Sequence, residues 1–199
     1  MKSGVRRARA CTAVAAVALA PSLAHAHLVT TGLGPVYDGI LHFALTPEFI
    51  LPVLAVAVLA GLRGKVHARR AIVALSLAWL VAGIVADRAA IAVPDTLAWL
   101  PLIAAGGLVA LDRALSPLAT TVVAAVLGGL LGLANGASLA QAGTGLSGVL
   151  GSAVAVAVLV TLCAAAATAW QSGWLRIVWR AAGSWIAAAG LLLLGWSLR

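Results

Sequence analysis

The chain has 199 residues, of which 63% are hydrophobic and 9% charged, with a mean hydropathy of +1.12. Soluble domains carry about 25% charged residues, so a water-soluble fold is excluded and the sequence reads as an all-α, polytopic membrane helix bundle. The formal charge of +8 does not point to nucleic acid: Lys2, Arg6, Arg7 and Arg9 belong to a leader, and the other basic residues stand singly or in one loop cluster. That distribution is what membrane topology produces. At roughly 20 residues per span, the chain accommodates one domain of six transmembrane helices and no separate soluble domain.

Residues 1–26 combine a basic start, an apolar run from Thr12 to Leu23 and the ending Ala24-His25-Ala26, the small-residue pattern of a signal peptide. Cleavage is expected after Ala26, dividing the chain into a signal peptide, 1–26, and a six-span domain, 27–199. An uncleaved anchor is the alternative, but the run is short and Pro21 interrupts it. Cleavage would make His27 the mature amino terminus, where α-amine and imidazole together can chelate a divalent ion. Cys11 precedes the apolar run and Cys163 lies in an apolar helix, so neither a lipoprotein signal nor a disulfide or thiolate metal site is implied.

The first span begins with a helical piece, Val36 to Ala44, is interrupted at Pro47 and Pro52, and is completed by Val53 to Leu62. Proline removes a backbone donor and clashes with the preceding turn, so this span enters the membrane irregularly. Arg63 to Arg70 forms a basic inner loop, followed by a second span, Ala71 to Ala86, and an outer loop from Asp87-Arg88 to Pro94-Asp95. The third span is Thr96 to Leu111, with Trp99 near the interface, and Asp112-Arg113 makes an inner loop in which the two side chains pair, as Asp87 and Arg88 do outside. The fourth runs from Pro117 to Ala134, an uncharged outer loop covers Asn135 to Gly145, and the fifth is Leu146 to Ala169. An inner turn, Trp170 to Arg176, leads into the sixth, Ile177 to Leu198.

Loop charge orients this topology. Arg63, Lys65, Arg69, Arg70, Arg113, Arg176 and Arg180 fall on one side, Arg88 and Arg199 on the other. The positive-inside rule then puts both mature ends outside a bacterial inner membrane. Small residues at spacings of three or four, Gly128 with Gly132 and Gly183 with Ala187, favour close helix packing.

The chemistry is concentrated at the first span. Asp38 and His42 are four apart and share a helix face, while Glu48 lies beyond the Pro47 break. Imidazole and carboxylate together suit a borderline divalent ion such as nickel, cobalt or zinc, and ionisable groups within a membrane usually mark a pathway. The competing reading makes them interfacial: Thr46-Pro47-Glu48 also fits an N-cap, a proline at the first helical position and an acid in the first turn. Gly145-Leu-Ser147-Gly148 matches an intramembrane serine protease motif, but no histidine follows His67 and no carboxylate follows Asp112. No enzymatic activity is expected.

The arrangement resembles the HupE/UreJ family of small membrane proteins, whose first span carries Gly-x-x-His-Pro-x-x-Gly-x-Asp-His. Gly39 and His42 fill the first two motif positions and Glu48 stands at the aspartate, while Phe43, Thr46 and Phe49 replace the proline, second glycine and second histidine. The family's later His-Gly element is represented by Asn135-Gly136, and the segment Arg180 to Gly195 resembles its closing helix. The resemblance covers most of the mature chain. It implies six spans after a cleaved leader and a permease moving nickel or cobalt, with His42 and Glu48 as the leading ligands and Asp38, His27 and Asn135 as further ones. The alternative is a non-transporting accessory protein that supports hydrogenase- or urease-type maturation factors. No permanently bound cofactor is expected, and the partners are the bilayer, the metal ion and such maturation proteins.

Overall fold

The computed structural model describes residues 31–89, 91, 93, 94, 96–170 and 173–199. The leader and His27 therefore lie outside the described residues. Among those described there are seven helices and no strand: α1 Pro35–Leu45, α2 Pro47–Gly61, α3 Lys65–Ala89, α4 Thr96–Ala110, α5 Pro117–Gln141, α6 Gly145–Ala169 and α7 Gly173–Ser197. The all-helical expectation is met. By length and composition α3, α5, α6 and α7 can each cross a membrane, and α1 with α2 passes as one further, broken span bent by 73°. The apolar α4 has 15 residues, about 22 Å at 1.5 Å per residue, short of the roughly 30 Å hydrocarbon core.

The break has a local cause. A residue preceding proline is pushed out of the helical region, and Thr46, before Pro47, is extended at φ −100° and ψ 103°. Its hydroxyl donates to the His42 carbonyl at 2.6 Å. It occupies the N-cap position of α2 but ties off the end of α1, with no side-chain cap bond into α2.

Glycine determines how closely the helices approach. Gly128, Gly132 and Gly136 of α5 lie against the backbone of Leu75, Trp79 and Gly83 of α3, four residues apart on both sides. A Cβ on Gly128 would lie 2.6 Å from the Leu75 carbonyl oxygen, and one on Gly132 would collide with Trp79. Likewise Gly39 of α1 meets Gly148 of α6, and Gly106 of α4 meets Gly183 and Ala187 of α7. The spacing read from the sequence thus marks real contact surfaces, built on small residues because lipid supplies no hydrophobic drive between helices. Ser147, beside this contact, is exposed.

One end of the bundle collects the basic residues. The Arg63 guanidinium reaches Asp112 at 2.7 Å and the Arg113 carbonyl at 2.5 Å, Arg176 binds the other Asp112 oxygen at 2.5 Å, and Arg180 donates to the Ala110 carbonyl at 3.1 Å. His67 Nε2 lies 3.2 Å from the Leu115 carbonyl. Two expected pairs are corrected here: Asp112 binds Arg63 and Arg176, not Arg113 beside it, and no ion pair joins Asp87 to Arg88. Side chains of adjacent residues point in different directions, whether in the helix that holds Asp87 and Arg88 or at the turn that holds Asp112 and Arg113, so the Asp112 carboxylate is met by arginines arriving from other elements. The basic loop is also shorter than expected, because α3 already begins at Lys65.

The Arg176 hydrogen bond, aided by the Arg63 charge, holds the Asp112 carboxyl below its ordinary value. A depressed folded pKa contributes stability that is complete above the ordinary carboxylate range, about pH 4, and is lost as pH falls through the folded value. Asp112→Asn is therefore expected to lower the melting temperature in detergent by a few degrees at pH 7. That difference should shrink towards zero in acid, where the wild-type carboxyl is also neutral; a pH-independent difference would mean the ion pairs are not its source.

Candidate metal site at the break of the first span

The residues singled out on the first span fall on both sides of the Thr46 break. Asp38, on α1, is 7% exposed and accepts hydrogen bonds at 2.7 Å from both the backbone N–H and the hydroxyl of Thr31. Its carboxylate thus fastens the entering chain to α1. His42, one turn later, is half-buried, and its Nε2 is enclosed without a hydrogen-bond partner. The imidazole meets Phe49 edge-on, with centroids 5.6 Å apart. Phe49 and Phe43 both pack edge-on against Trp79, at 6.0 and 5.5 Å. Trp79 in turn donates to the Ser152 hydroxyl at 3.3 Å. An aromatic block therefore fixes one side of the His42 ring.

Glu48 lies in the first turn of α2, half-buried, with no hydrogen bond or ion pair among the described residues. It opens onto a cleft of about 270 Å³, walled also by Phe49, Val93, Pro94, Leu97 and the α5 residues Ala134, Ala137, Ser138 and Gln141. Those four recur at the i, i+3, i+4, i+7 spacing of one helix face. Two prolines add acceptors to the same region. Pro52 in α2 and Pro101 in α4 lack the N–H that would reach the carbonyl four residues earlier, and those residues are Glu48 and Leu97.

Asn135 corrects the expected topology. It is not in an outer loop: α5 continues to Gln141, and Asn135 is 0% exposed inside it. Asn-Gly is a turn signal, but here Gly136 is present because the Gly83 backbone leaves no room for a Cβ. Both amide atoms of Asn135 are buried without a partner. Native proteins pair the great majority of buried polar atoms; here His42 Nε2 and the Asn135 amide are left open, as are the Ser76 hydroxyl and the indole nitrogens of Trp99 and Trp179, and of these the imidazole and the amide are the metal-ligating types.

Among the described residues no three His, Cys, Asp or Glu side chains come together as a group that could hold a metal. Asp38 is engaged by Thr31, and Phe49 packs edge-on against the His42 ring. What the arrangement offers is one free imidazole nitrogen, one unpaired carboxylate, one free amide and backbone carbonyls. Sequence reasoning missed Ser138 and Gln141, assigned to a loop, and the part played by Val93 and Pro94. The repeat of Ala134, Ala137, Ser138 and Gln141 was the available signal.

No curated protein and no solved structure matches the chain. Residues 15–193 match the family model described as HupE / UreJ protein. This match spans the broken first span, the glycine-packed α3–α5 pair and almost all of α7, and with the apolar helices it means that the chain is a membrane protein belonging to the HupE/UreJ family.

Proposed function

We propose that the protein is an inner-membrane permease for a divalent transition metal, nickel or cobalt. The ion enters at the Glu48 cleft and passes the break towards His42 and Asn135. The observation that carries this reading is the enclosed, unpartnered His42 Nε2 at the end of α1, in a span broken at Thr46, with Glu48 opening onto a cleft just beyond the break; the unpartnered amide of Asn135 lies on α5, the helix that walls that cleft. Irregular backbone at membrane depth is tolerated where it lines a cavity or is satisfied by protein, and transporters form ion sites from such broken helices. Imidazole, carboxylate and amide suit a borderline ion that retains some of its water.

In this reading α1 with α2 is one span and α4 is a short one, giving six. The connections after α2, α4 and α6 carry the arginine-rich end and face the cytoplasm by the positive-inside rule. Cleavage after Ala26 leaves His27 on the outer face, and amino-terminal sequencing of membrane-extracted protein checks it. No Gly-x-x-x-x-Gly-Lys-Ser/Thr motif is present in the sequence, so the driving force is an ion gradient, the membrane potential or a partner, and no chemical step is catalysed.

The accessory reading, in which the protein supports metalloenzyme maturation without transport, draws on the absence of a three-ligand group among the described residues. Nickel and cobalt accumulation in cells, normalised to protein in the membrane, separates the two. Losing even an outer-shell partner of a metal ligand typically costs about 10–100-fold, so His42→Ala and Glu48→Gln should each reduce accumulation about tenfold or more. Unchanged accumulation in both variants would leave only the accessory role.

A further inference from the structure

We infer that the arginine-rich end of α7 and the groove beside it form a binding site for one anionic phospholipid, with an acyl chain between α2, α6 and α7 and the phosphate at Arg180 and Arg176. The groove has a volume of about 520 Å³, within the roughly 300–1,000 Å³ of ligand sites. One wall is Leu51, Leu54, Ala55 and Val58 of α2; another runs along α7 from Trp179 to Ala189, and Cys163 and Ala166 of α6 close the back. No charged side chain lines it.

Its length matches one leaflet. The ten-residue step from Trp179 to Ala189 spans about 15 Å at 1.5 Å per residue, half of the roughly 30 Å hydrocarbon core. α7 packs chiefly on α4 and has few contacts with α2, so the groove is the space left where α7 stands away from the bundle. Gly183 cannot carry a larger side chain into that space without meeting Val109 and Ala110 of α4.

Charge complementarity identifies the occupant. Arg180 follows the groove residue Trp179 directly, and its Nε holds the carbonyl of Ala110, next to the groove residue Val109. That bond uses Nε alone, and the Arg180 side chain is otherwise exposed, one residue from the groove wall. Arg176, one turn nearer the helix start, uses Nε on Asp112 while its side chain is 52% exposed. Asp112 also answers Arg63, so one carboxylate serves two guanidiniums while Arg180 has no acidic partner among the described residues. An apolar slot one leaflet deep, beside a cluster of three arginines with one carboxylate between them, fits a phospholipid with a net negative headgroup, and basic pockets between spans bind such headgroups. A second copy of this chain would bring the same arginine-rich end against itself.

The test is native mass spectrometry of the full chain in mild detergent, with dioleoyl-phosphatidylglycerol or dioleoyl-phosphatidylcholine added. One retained lipid is expected, with the anionic phosphatidylglycerol preferred over the zwitterionic phosphatidylcholine. A basic residue near an anionic surface contributes about fivefold in affinity, so Arg180→Gln should reduce that preference about fivefold. Ala182 lines the groove yet is exposed, so Ala182→Phe fills the slot without entering the core and should reduce retention of both lipids. Equal retention of the two lipids by the wild type would overturn the inference, as would full retention in Ala182→Phe. A lipid-free dimer that Ala182→Phe dissociates would overturn it too, assigning the groove to a second copy. If Arg180→Gln does not fold, the wild-type lipid comparison and Ala182→Phe still decide.

Discussion

Gly132→Leu is expected to prevent the bundle from assembling, whereas Gly129→Leu, three residues earlier on the same helix, should be tolerated. A Cβ at 132 meets the carbonyl oxygen, Cα and carbonyl carbon of Trp79, while one at 129 meets nothing within 4 Å. Overpacking a core against side chains typically costs about 1–3 kcal/mol. Here the obstacle is α3 backbone, which cannot rotate aside, so the cost should exceed that range. The damage would reach the proposed metal pathway too, since Trp79 holds Phe43, Phe49 and the Ser152 hydroxyl, and Phe49 in turn flanks His42. Yield of monodisperse protein and thermal unfolding in detergent measure the contrast. Equal melting of Gly132→Leu and wild type would mean that the α3–α5 approach is looser than this geometry.

The same glycines show which features a single sequence makes legible. Gly128 and Gly132 could be read as a contact surface because the spacing itself places them on one helix face. The break at Thr46 was equally readable, because proline acts on the residue immediately before it. The place of Gly136 was not legible for the opposite reason. Its role depends on Gly83, 53 positions earlier, and without that partner the uncharged stretch from Asn135 to Gly145 reads as an outer loop, which placed Asn135, Ser138 and Gln141 outside the helix. Asp112 was matched with its neighbour because the sequence does not show that Arg63 and Arg176 converge on it from distant elements. Similarly, nothing near Asp38 indicated that Thr31 would use its carboxylate. The candidate donors were legible as residue types, but their availability depends on tertiary partners.

Asn135→Leu is expected to make the protein more stable and less active, and that opposition separates a functional amide from a structural one. The side chain is fully enclosed with both polar atoms unpaired, and an unsatisfied buried polar group costs about 1–3 kcal/mol. Leucine has a similar reach and needs no partner, so the melting temperature in detergent should rise. If the open amide is retained because it contacts the passing ion, nickel and cobalt accumulation should fall in the same variant, by an amount comparable to His42→Ala. A lower melting temperature would show that the amide is held by a native partner and is structural. A higher melting temperature with unchanged accumulation would remove Asn135 from the pathway and leave His42 and Glu48 as its only side-chain donors. The combination of greater stability and lost uptake follows from a group that is costly in the folded state and is needed only when the ion arrives, as expected of binding groups whose best partner is the substrate.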